Sequence, residues 1–330
     1  MNRTQRMFLL SVMLVAAIAA SLLLRSNGHS DDGTSFRPPS AVERSEAVGN
    51  LGSLAESLQI AFDPRDQSFA PIPKPGLSDW LANQQELGQT FQQYVRSHPN
   101  RPNARRQTIY LQPIGDIDSQ DGPSLDQLVL YAESFFSLPV KLLPAVADDR
   151  LPFTERLNAG NRQILSTDIL RWLESRVPDD AFCLLAVTMV DLYPDDQWNF
   201  VFGQASLTNR VGVYSFVRYR PDATHQEKRG GSQSLMLRRS CKVLSHETGH
   251  MFGLKHCVYF RCLMNGSNHL DEADAQPNHL CPVCLRKLQW ACKFDVADRY
   301  STLKRFAETA QWEDEALWLQ RRCASIDPAR

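Results

Sequence analysis

The sequence has almost no net charge and no run of basic residues. Its 36 Lys and Arg residues are balanced by 37 Asp and Glu residues, which leaves a formal net charge of −1 at pH 7. Because nonspecific nucleic-acid binding depends on clustered positive charge, nucleic acid is not an expected partner. Cysteine is also scarce, with eight residues in 330, so a disulfide-dense scaffold is excluded. Internal repeats are absent, and the 43% hydrophobic content is ordinary for a globular protein.

Residues 1–26 have a composition unlike that of the remaining chain. An apolar run extends from Met7 to Leu24, and it is preceded by Arg3 and Arg6. The run is longer than the core of a typical signal peptide and just reaches the length of a membrane-spanning helix. The two arginines place the N-terminus inside and the body outside. The sequence therefore predicts a single-pass membrane anchor with an extracytoplasmic body, the alternative being a cleaved signal and a secreted or periplasmic protein.

The rest of the chain divides into a tether, an extension and a catalytic domain. Residues 27–60 are polar and contain Gly and a Pro-Pro pair, which indicates a polar linker. Residues 61–105 contain several prolines and a predicted helix from Ser78 to Ser97, so they form an N-terminal extension packed on the main domain. The catalytic domain is predicted over 106–330, and its part 256–330 forms a small C-terminal subdomain.

Strand and helix patterns alternate at the start of the catalytic domain. A strand is predicted from Thr108 to Ile114 and a helix with apolar residues at helical spacing from Leu125 to Phe136. After a further strand and a helix at 162–177, Phe182 to Val190 is a continuous apolar run, typical of a strand buried on both faces. This βαβαβ order predicts an α/β fold with a mostly parallel sheet. A hairpin formed by 201–206 and 211–216 is placed at the sheet edge.

The motif HExxHxxGxxH begins at His246. His246 and His250 are four residues apart, so on a helix both imidazoles lie on one face and can bind the same Zn²⁺ ion. Glu247 points into the same cleft, where it can hold a water molecule. Gly253 suits the left-handed conformation at a helix end, after which the chain turns back and offers His256 as a third ligand. Three protein ligands leave a fourth position open, which is typical of a catalytic zinc site.

Four cysteines follow the motif in two pairs separated by a loop. Two thiolate pairs at this spacing predict a closed, tetrahedral structural zinc site, formed by Cys257, Cys262, Cys281 and Cys284. His269 and His279 lie nearby and are alternative ligands, although four cysteines already complete a site. Export to an oxidising compartment would leave a second possibility, in which the same cysteines pair as disulfides.

The joint pattern of the histidine motif and the two cysteine pairs resembles that of the archaemetzincins, a small family of metzincin peptidases. The resemblance extends upstream to residues 109–115 and 198–205, and to 71–97. It implies a metzincin-type zincin fold of the α/β (α+β) class. That fold has a mixed, mostly parallel sheet, an active-site helix, a Met-turn and a small C-terminal subdomain with a four-cysteine zinc site. Met264, which precedes a turn-forming Asn-Gly pair, is then the Met-turn methionine.

The family resemblance also implies a function. It predicts a zinc metallopeptidase with one catalytic and one structural Zn²⁺ per chain, acting on a peptide or protein. Glu247 would be the general base toward a zinc-activated water. An alternative from another class is a catalytically silent, membrane-tethered zinc module that binds a partner through its four-cysteine site. Glu247 argues against that alternative, because a site that only binds metal does not need this carboxylate. No oligomeric state is predicted.

The edge hairpin is a candidate substrate-binding element. In metzincins the edge strand above the zinc holds the substrate backbone, so the resemblance implies contacts from Phe202, Gly203 and Gln204. The alternative is an edge hairpin that has no contact with substrate.

Overall fold

A five-stranded sheet lies at the centre of the computed structural model, which describes residues 36–117, 122–220 and 229–327. The described strands are β1 (Thr108–Ile114), β2 (Val140–Leu142), β3 (Glu155–Asn158), β4 (Asn161–Leu165), β5 (Ala181–Thr188), β6 (Asp191–Tyr193), β7 (Gly203–Ser206) and β8 (Val211–Ser215). The large sheet has the order β2-β1-β5-β8-β7. All its pairs are parallel except that of β7 with β8, so the predicted mixed, mostly parallel sheet is confirmed.

Strand β5 is the centre of this sheet. Every residue of the strand is buried, which agrees with its continuous apolar sequence and with helices covering both faces. It pairs with β1 on one side and with β8 on the other, where Leu184 is the partner of Tyr110 and of Val211. The short strand β7 is antiparallel and forms the edge, as the hairpin pattern predicted.

A second sheet of three strands, in the order β3-β4-β6, was not predicted. Strands β3 and β4 form a hairpin closed by Ala159 and Gly160, whose φ angles are 48° and 81°. Two consecutive residues in the left-handed region are typical of the tight turns that join antiparallel strands. The helix predicted from residue 162 therefore begins only at Ser166, because the preceding residues form β4.

Helices surround the two sheets and form the C-terminal part of the molecule. Those described are α1 (Ala41–Val48), α2 (Glu56–Ala61), α3 (Trp80–Asn83), α4 (Phe91–Arg96), α5 (Leu125–Phe136), α6 (Ser166–Glu174), α7 (Arg229–Met251), α8 (Leu270–Asp274), α9 (Pro282–Cys292), α10 (Val296–Thr309) and α11 (Glu313–Ile326). Helices α5, α7 and α9 to α11 share one apolar core with β1 and β5. Helix α7 carries the HExxH motif and is the longest of these helices.

The described part of the predicted linker is folded rather than extended. Helix α1 starts at a capping box formed by Ser40 and Glu43, and its last residues, Ala47 and Val48, are fully buried. The guanidinium of Arg286 on α9 donates hydrogen bonds to the carbonyl oxygens of Val48 and Asn50. The sequence predicted a polar linker here. The structure differs because the short apolar pair Ala47 and Val48 is buried, and this segment contacts Arg286, which is distant in the sequence.

The predicted helix from Ser78 to Ser97 is two short helices, α3 and α4. Gly88 interrupts it with a φ of 69°, and a Cβ at this position would lie 2.5 Å from Cγ2 of Val258. Only glycine fits such a close approach at a positive φ. The segment between the two helices therefore passes directly over the loop that follows the HExxH helix.

The localisation predicted from residues 1–26, a membrane anchor with the body outside, is contradicted. Within residues 36–117, 122–220 and 229–327, no helix combines the length and the apolar character needed to cross a bilayer. Even the longest, α7, includes the charged residues Arg238, Arg239, Lys242 and Glu247, which are costly in hydrocarbon. The run from Met7 to Leu24, on which the prediction depended, lies outside the described residues.

Candidate active site and metal centres

Helix α7 and the turn after it bring the three histidines of the motif together. His246 and His250 lie one turn apart near the end of the helix, and Gly253 follows with a φ of 81°. A Cβ at Gly253 would lie 2.7 Å from Cβ of Pro99, so the turn has no room for a side chain. The chain reverses there, and the ring of His256 lies 5.3 Å from that of His246 and 5.1 Å from that of His250.

The hydrogen bonds of His246 and His250 determine which nitrogen of each ring faces the other ring. Nδ1 of His246 is 2.8 Å from the carbonyl oxygen of Leu263, and Nδ1 of His250 is 2.6 Å from that of Leu254. Since a carbonyl oxygen can only accept, each Nδ1 carries the proton, and each Nε2 presents a lone pair. The two Nε2 atoms lie 3.1 Å apart.

This donor set fits a bound cation. Two lone pairs at that separation repel each other unless a positive charge lies between them. Ligand atoms of the three histidines all lie within 4.8 Å of one another, and imidazole nitrogens are ordinary zinc ligands. Burial together with the neighbouring His256 lowers the pKa of His246 to about 3, and burial lowers the pKa of His250 well below its usual value. Both rings are therefore neutral, as metal ligands must be.

Glu247 lies beside these imidazoles in a nearly dry environment. Its side chain is buried, and its Oε2 has no hydrogen-bond partner among the described residues. Burial raises the pKa of Glu247 to about 8. A cation at the imidazoles favours the ionised carboxylate, and a water molecule between the two would satisfy the free oxygen. The arrangement can take a proton from such a water.

The side chain of Met264 packs against Gly249, between the two histidines of the HExxH motif, and makes no hydrogen bond with the described residues. A Cβ on Gly249 would lie only 2.7 Å from Sδ of Met264, so the methionine touches the backbone of α7 within the HExxH motif. Its carbonyl oxygen accepts a hydrogen bond of 2.7 Å from the backbone N–H of Cys257. The Met-turn residue thereby connects the helix to the segment that follows His256.

The four cysteines of the two pairs are buried and lie close together. Ligand atoms of Cys257, Cys262, Cys281 and Cys284 all lie within 4.8 Å of one another. Sγ of Cys257 is 3.6 Å from Sγ of Cys281, far longer than a disulfide bond of about 2.05 Å, and all eight cysteines are free. Backbone N–H groups of Met264 and Cys281 point at Sγ of Cys262 at 3.4 and 3.3 Å, which favours a thiolate. The cluster fits a closed tetrahedral zinc site.

The two alternative histidine ligands make other contacts. His279 stacks on Trp318 at 3.5 Å between ring centroids, and its Nδ1 lies 2.9 Å from the Glu315 carboxylate. His269 caps helix α8 by accepting the backbone N–H of Glu272. Neither imidazole belongs to the group of four thiols.

Sequence reasoning missed Glu86 and Trp80, which lie in the N-terminal extension. Oε1 of Glu86 is 2.7 Å from Nδ1 of His256 and accepts a further hydrogen bond of 2.9 Å from Nε1 of Trp80. The Trp80 ring meets the His256 ring edge-on at 5.2 Å. Glu86 thus pairs with Nδ1 of His256, as the backbone carbonyls of Leu263 and Leu254 pair with Nδ1 of the other two histidines. It stands in a polar stretch with no motif, so nothing in the sequence marked it.

Replacing Glu86 by alanine is expected to weaken zinc binding at the histidine site by about 10- to 100-fold, because the outer carboxylate orients the ligand and raises its basicity. The measurement is zinc affinity by competition with a chelator of known strength, with hydrolysis rates measured on the same samples.

Two further variants separate this positioning role from simple packing. Glu86→Gln keeps an acceptor oxygen and should recover most of the zinc affinity. Glu272→Ala removes another carboxylate that holds Trp80, through the Trp80 backbone N–H at 3.0 Å, but touches no zinc ligand. Equal losses of zinc affinity in Glu86→Ala and Glu272→Ala would contradict the positioning role of Glu86.

The three candidate substrate residues lie in edge strand β7 or directly before it, and their side chains have different surroundings. Phe202 packs against Tyr219 at 5.0 Å between ring centroids and lines the cavity that also contains His246 and Glu247. The Gln204 side chain is buried and accepts a hydrogen bond of 2.6 Å from Ser166 Oγ, so it points away from the cavity. Gly203 pairs with Tyr214 of β8. Only Phe202 of the three lines the cavity through its side chain.

Comparisons with known proteins identify relatives of this chain. Residues 127–290 match the family model described as Peptidase family M54. The chain is 41% identical to human Archaemetzincin-2 over 281 residues, which covers 76% of this chain and 78% of that protein. It is 36% identical to human Archaemetzincin-1 over 283 residues, covering 76% and 57% of the two chains. A crystal structure of Archaemetzincin from Methanopyrus kandleri aligns with a TM-score of 0.43 at 26% identity, covering 58% of this chain and 99% of that one.

Proposed function

The chain belongs to the archaemetzincin family of zinc-dependent peptidases, and on that premise we propose that Glu247 is the general base for peptide-bond hydrolysis and that each chain holds two zinc ions. The enzyme is a zinc metallopeptidase, and its substrates are peptides or proteins. Human Archaemetzincin-2 matches over 78% of its length, and the family model covers residues 127–290, which include the histidine motif and the four cysteines.

His246, His250 and His256 would hold the catalytic zinc through their Nε2 atoms. Zinc bound there would polarise the scissile carbonyl and acidify an attacking water. Each ligand is oriented by a group on a different segment: the carbonyls of Leu263 and Leu254, and the carboxylate of Glu86. The imidazoles are thus held in position before substrate arrives.

Glu247 would accept and donate the proton that is transferred during hydrolysis. Its carboxylate accepts a proton as water attacks the carbonyl carbon, and it then delivers that proton to the nitrogen of the leaving amine. No covalent bond to the protein forms. The observation that carries this proposal is the convergence of imidazole lone pairs beside a buried carboxylate whose Oε2 lacks a partner among the described residues.

The second zinc would have a structural role. Four buried thiols leave no open coordination position, so a zinc ion bound by them would contribute to folding and not to hydrolysis.

Hydrolysis of a quenched peptide library by the purified protein tests this function. Cleavage should stop after dialysis against a chelator and return when Zn²⁺ is added back. Metal analysis of the untreated protein should give two zinc ions per chain. A chain that carries zinc but cleaves no peptide in the library would oppose the proposed activity.

A further inference from the structure

A cavity of about 60 Å³ extends from the catalytic residues along helix α7. His246, Glu247 and His256 line one end, and Lys242 and Arg239 line the wall one and two turns further back on the helix. Arg239 lies eight positions before Glu247, a distance of about 12 Å along the helix. Phe202 and Tyr219 close one side, and helix α8 closes the other. A side chain entering beside the scissile bond therefore points along α7 toward two basic residues.

Lys242 is held in place at the deep end of this cavity. Its ammonium donates to the carbonyl oxygens of Ala273 and Gln276 at 2.7 Å each and to that of Asp274 at 3.4 Å. These carbonyls lie at the C-terminal end of α8, where the helix dipole favours a positive charge. Burial lowers the pKa of Lys242 to about 8, so most of the side chain is still charged at pH 7. Because the side chain is buried, this charge is fixed at the floor instead of extending into solvent.

Arg239 lies beside Lys242 and pairs with Asp274. Its Nε is 2.9 Å from Oδ1 of Asp274, its Nη2 also contacts that carboxylate, and its Nη1 donates to the carbonyl oxygen of Tyr219 at 3.1 Å. These contacts use three of the five N–H donors of a guanidinium. The other two N–H groups make no further hydrogen bond with the described residues and can serve a ligand.

The charges that line the deep end do not cancel. Arg239 and Lys242 carry two positive charges, and Asp274 supplies one negative charge, so these three residues give the floor a net charge of about +1. Glu247 lies at the opposite, catalytic end. In a cavity with little water, an anionic side chain is attracted to this floor and a cationic one is repelled.

We propose that this cavity selects substrates with an acidic side chain, aspartate or glutamate, at a residue flanking the scissile bond. The inference rests on the proposed peptidase function and names its substrate class. The cavity volume agrees with this proposal, because at about 10–15 Å³ for each water-sized group, 60 Å³ holds about four to six such groups. That is the size of a short carboxyl side chain and is too small for an indole.

A matched set of peptides tests the selection. The peptides differ only at the residues flanking the cleaved bond, which are Glu, Gln or Lys in turn. The zinc-loaded protein should cleave the Glu peptide with kcat/KM about tenfold above that of the Gln peptide at one of the two positions, and the Lys peptide more slowly still.

Two substitutions should move the preference in opposite directions. Lys242→Met removes the net charge and should make the Glu and Gln peptides equivalent. Asp274→Asn keeps the side-chain size and one acceptor oxygen, raises the net charge to about +2, and should increase the preference for Glu. If Lys242→Met fails to fold, Asp274→Asn alone decides. A Glu preference that Asp274→Asn leaves unchanged or lowers would overturn the proposal.

Arg238→Gln is the matched control. Arg238 lies on the same helix but pairs with Asp314 at 2.7 Å and does not line the cavity. Its substitution should leave the preference for Glu in place, because the charged residues that line the cavity stay.

A binding experiment separates this inference from the proposed activity. The zinc-loaded Glu247→Gln protein should bind the Glu peptide about tenfold more tightly than the Gln peptide, whether or not the wild type cleaves either. Selective binding of the Glu peptide without cleavage by the wild type would contradict the proposed activity but support the cavity's selection of acidic side chains. Cleavage of the Glu, Gln and Lys peptides at equal rates would contradict the proposed selection of acidic side chains and support the peptidase activity. Binding without preference would contradict the selection alone.

Discussion

Replacing Glu247 by alanine is expected to lower peptide hydrolysis by about 10²- to 10⁴-fold while the protein keeps its catalytic zinc. Among the described residues that line the cavity, Glu247 supplies the carboxylate at the catalytic end, beside His246 and His256. The three ligands and the groups that orient them stay, because Leu254, Leu263 and Glu86 lie on other segments. Zinc content and turnover are measured on the same samples.

The controls separate loss of the base from loss of the fold. Glu247→Gln preserves the size of the side chain and should be as inactive as the alanine variant, since an amide cannot accept the proton. Glu46→Ala, at an exposed position of α1, should be fully active. Turnover near that of the wild type in a zinc-loaded Glu247→Ala protein would refute Glu247 as the base.

Local sequence patterns predicted the central part of the fold and grouped the histidines and the cysteines that the structure brings together. Strand β5 and helix α7 were evident because burial on both faces gives a continuous apolar run and because HExxH depends on helical spacing alone. The ligand sets follow from spacing within short segments, so His246, His250 and His256 could be grouped from the sequence alone.

Features that depend on distant partners could not be predicted in this way. Glu86 meets His256 across 170 residues of sequence, and its own neighbourhood shows no motif. The second sheet was missed because β4 pairs with β6, where Gln163 lies opposite Asp191, a residue much further along the chain. The predicted linker is folded because Arg286 contacts it across 238 residues. In each case a long-range contact decides the outcome, and single-sequence periodicity does not report such contacts.

The histidine cluster and the cysteine cluster are joined by one short segment. Cys257 follows His256 directly, and its backbone N–H bonds to the carbonyl of Met264. Asn265 holds the loop between them: its Oδ1 accepts the N–H of Cys262 at 2.7 Å, and its Nδ2 donates to the carbonyl of Cys257 at 2.7 Å. The Leu263 carbonyl in this loop orients His246. The positions of His246 and His256, two of the proposed zinc ligands, therefore depend on the cysteine cluster.

Replacing Cys281 by serine is expected to remove the structural zinc and to lower the free energy of unfolding by more than about 4 kcal/mol, since loss of a metal is among the few single changes with so large an effect. Three thiols remain, but Cys281 directly precedes helix α9, so the loss frees the start of that helix as well as the loop. Zinc at the histidine site should bind more weakly too, because His256 and Leu263 lie in the loop that the cluster holds. Metal stoichiometry and denaturant unfolding at fixed zinc concentration measure both effects.

Cys292→Ser is the matched control, because it makes the same change at the other end of α9. Cys292 is half-buried and is not one of the four clustered thiols. It should keep both zinc ions and lose no more than about 1 kcal/mol, as expected for a partly exposed site. If Cys281→Ser and Cys292→Ser bind equal amounts of zinc and unfold alike, the four thiols do not hold a structural metal. The same conclusion follows if the wild type contains one zinc ion and its cluster cysteines are oxidised, because disulfides would then stabilise the loop that positions His256.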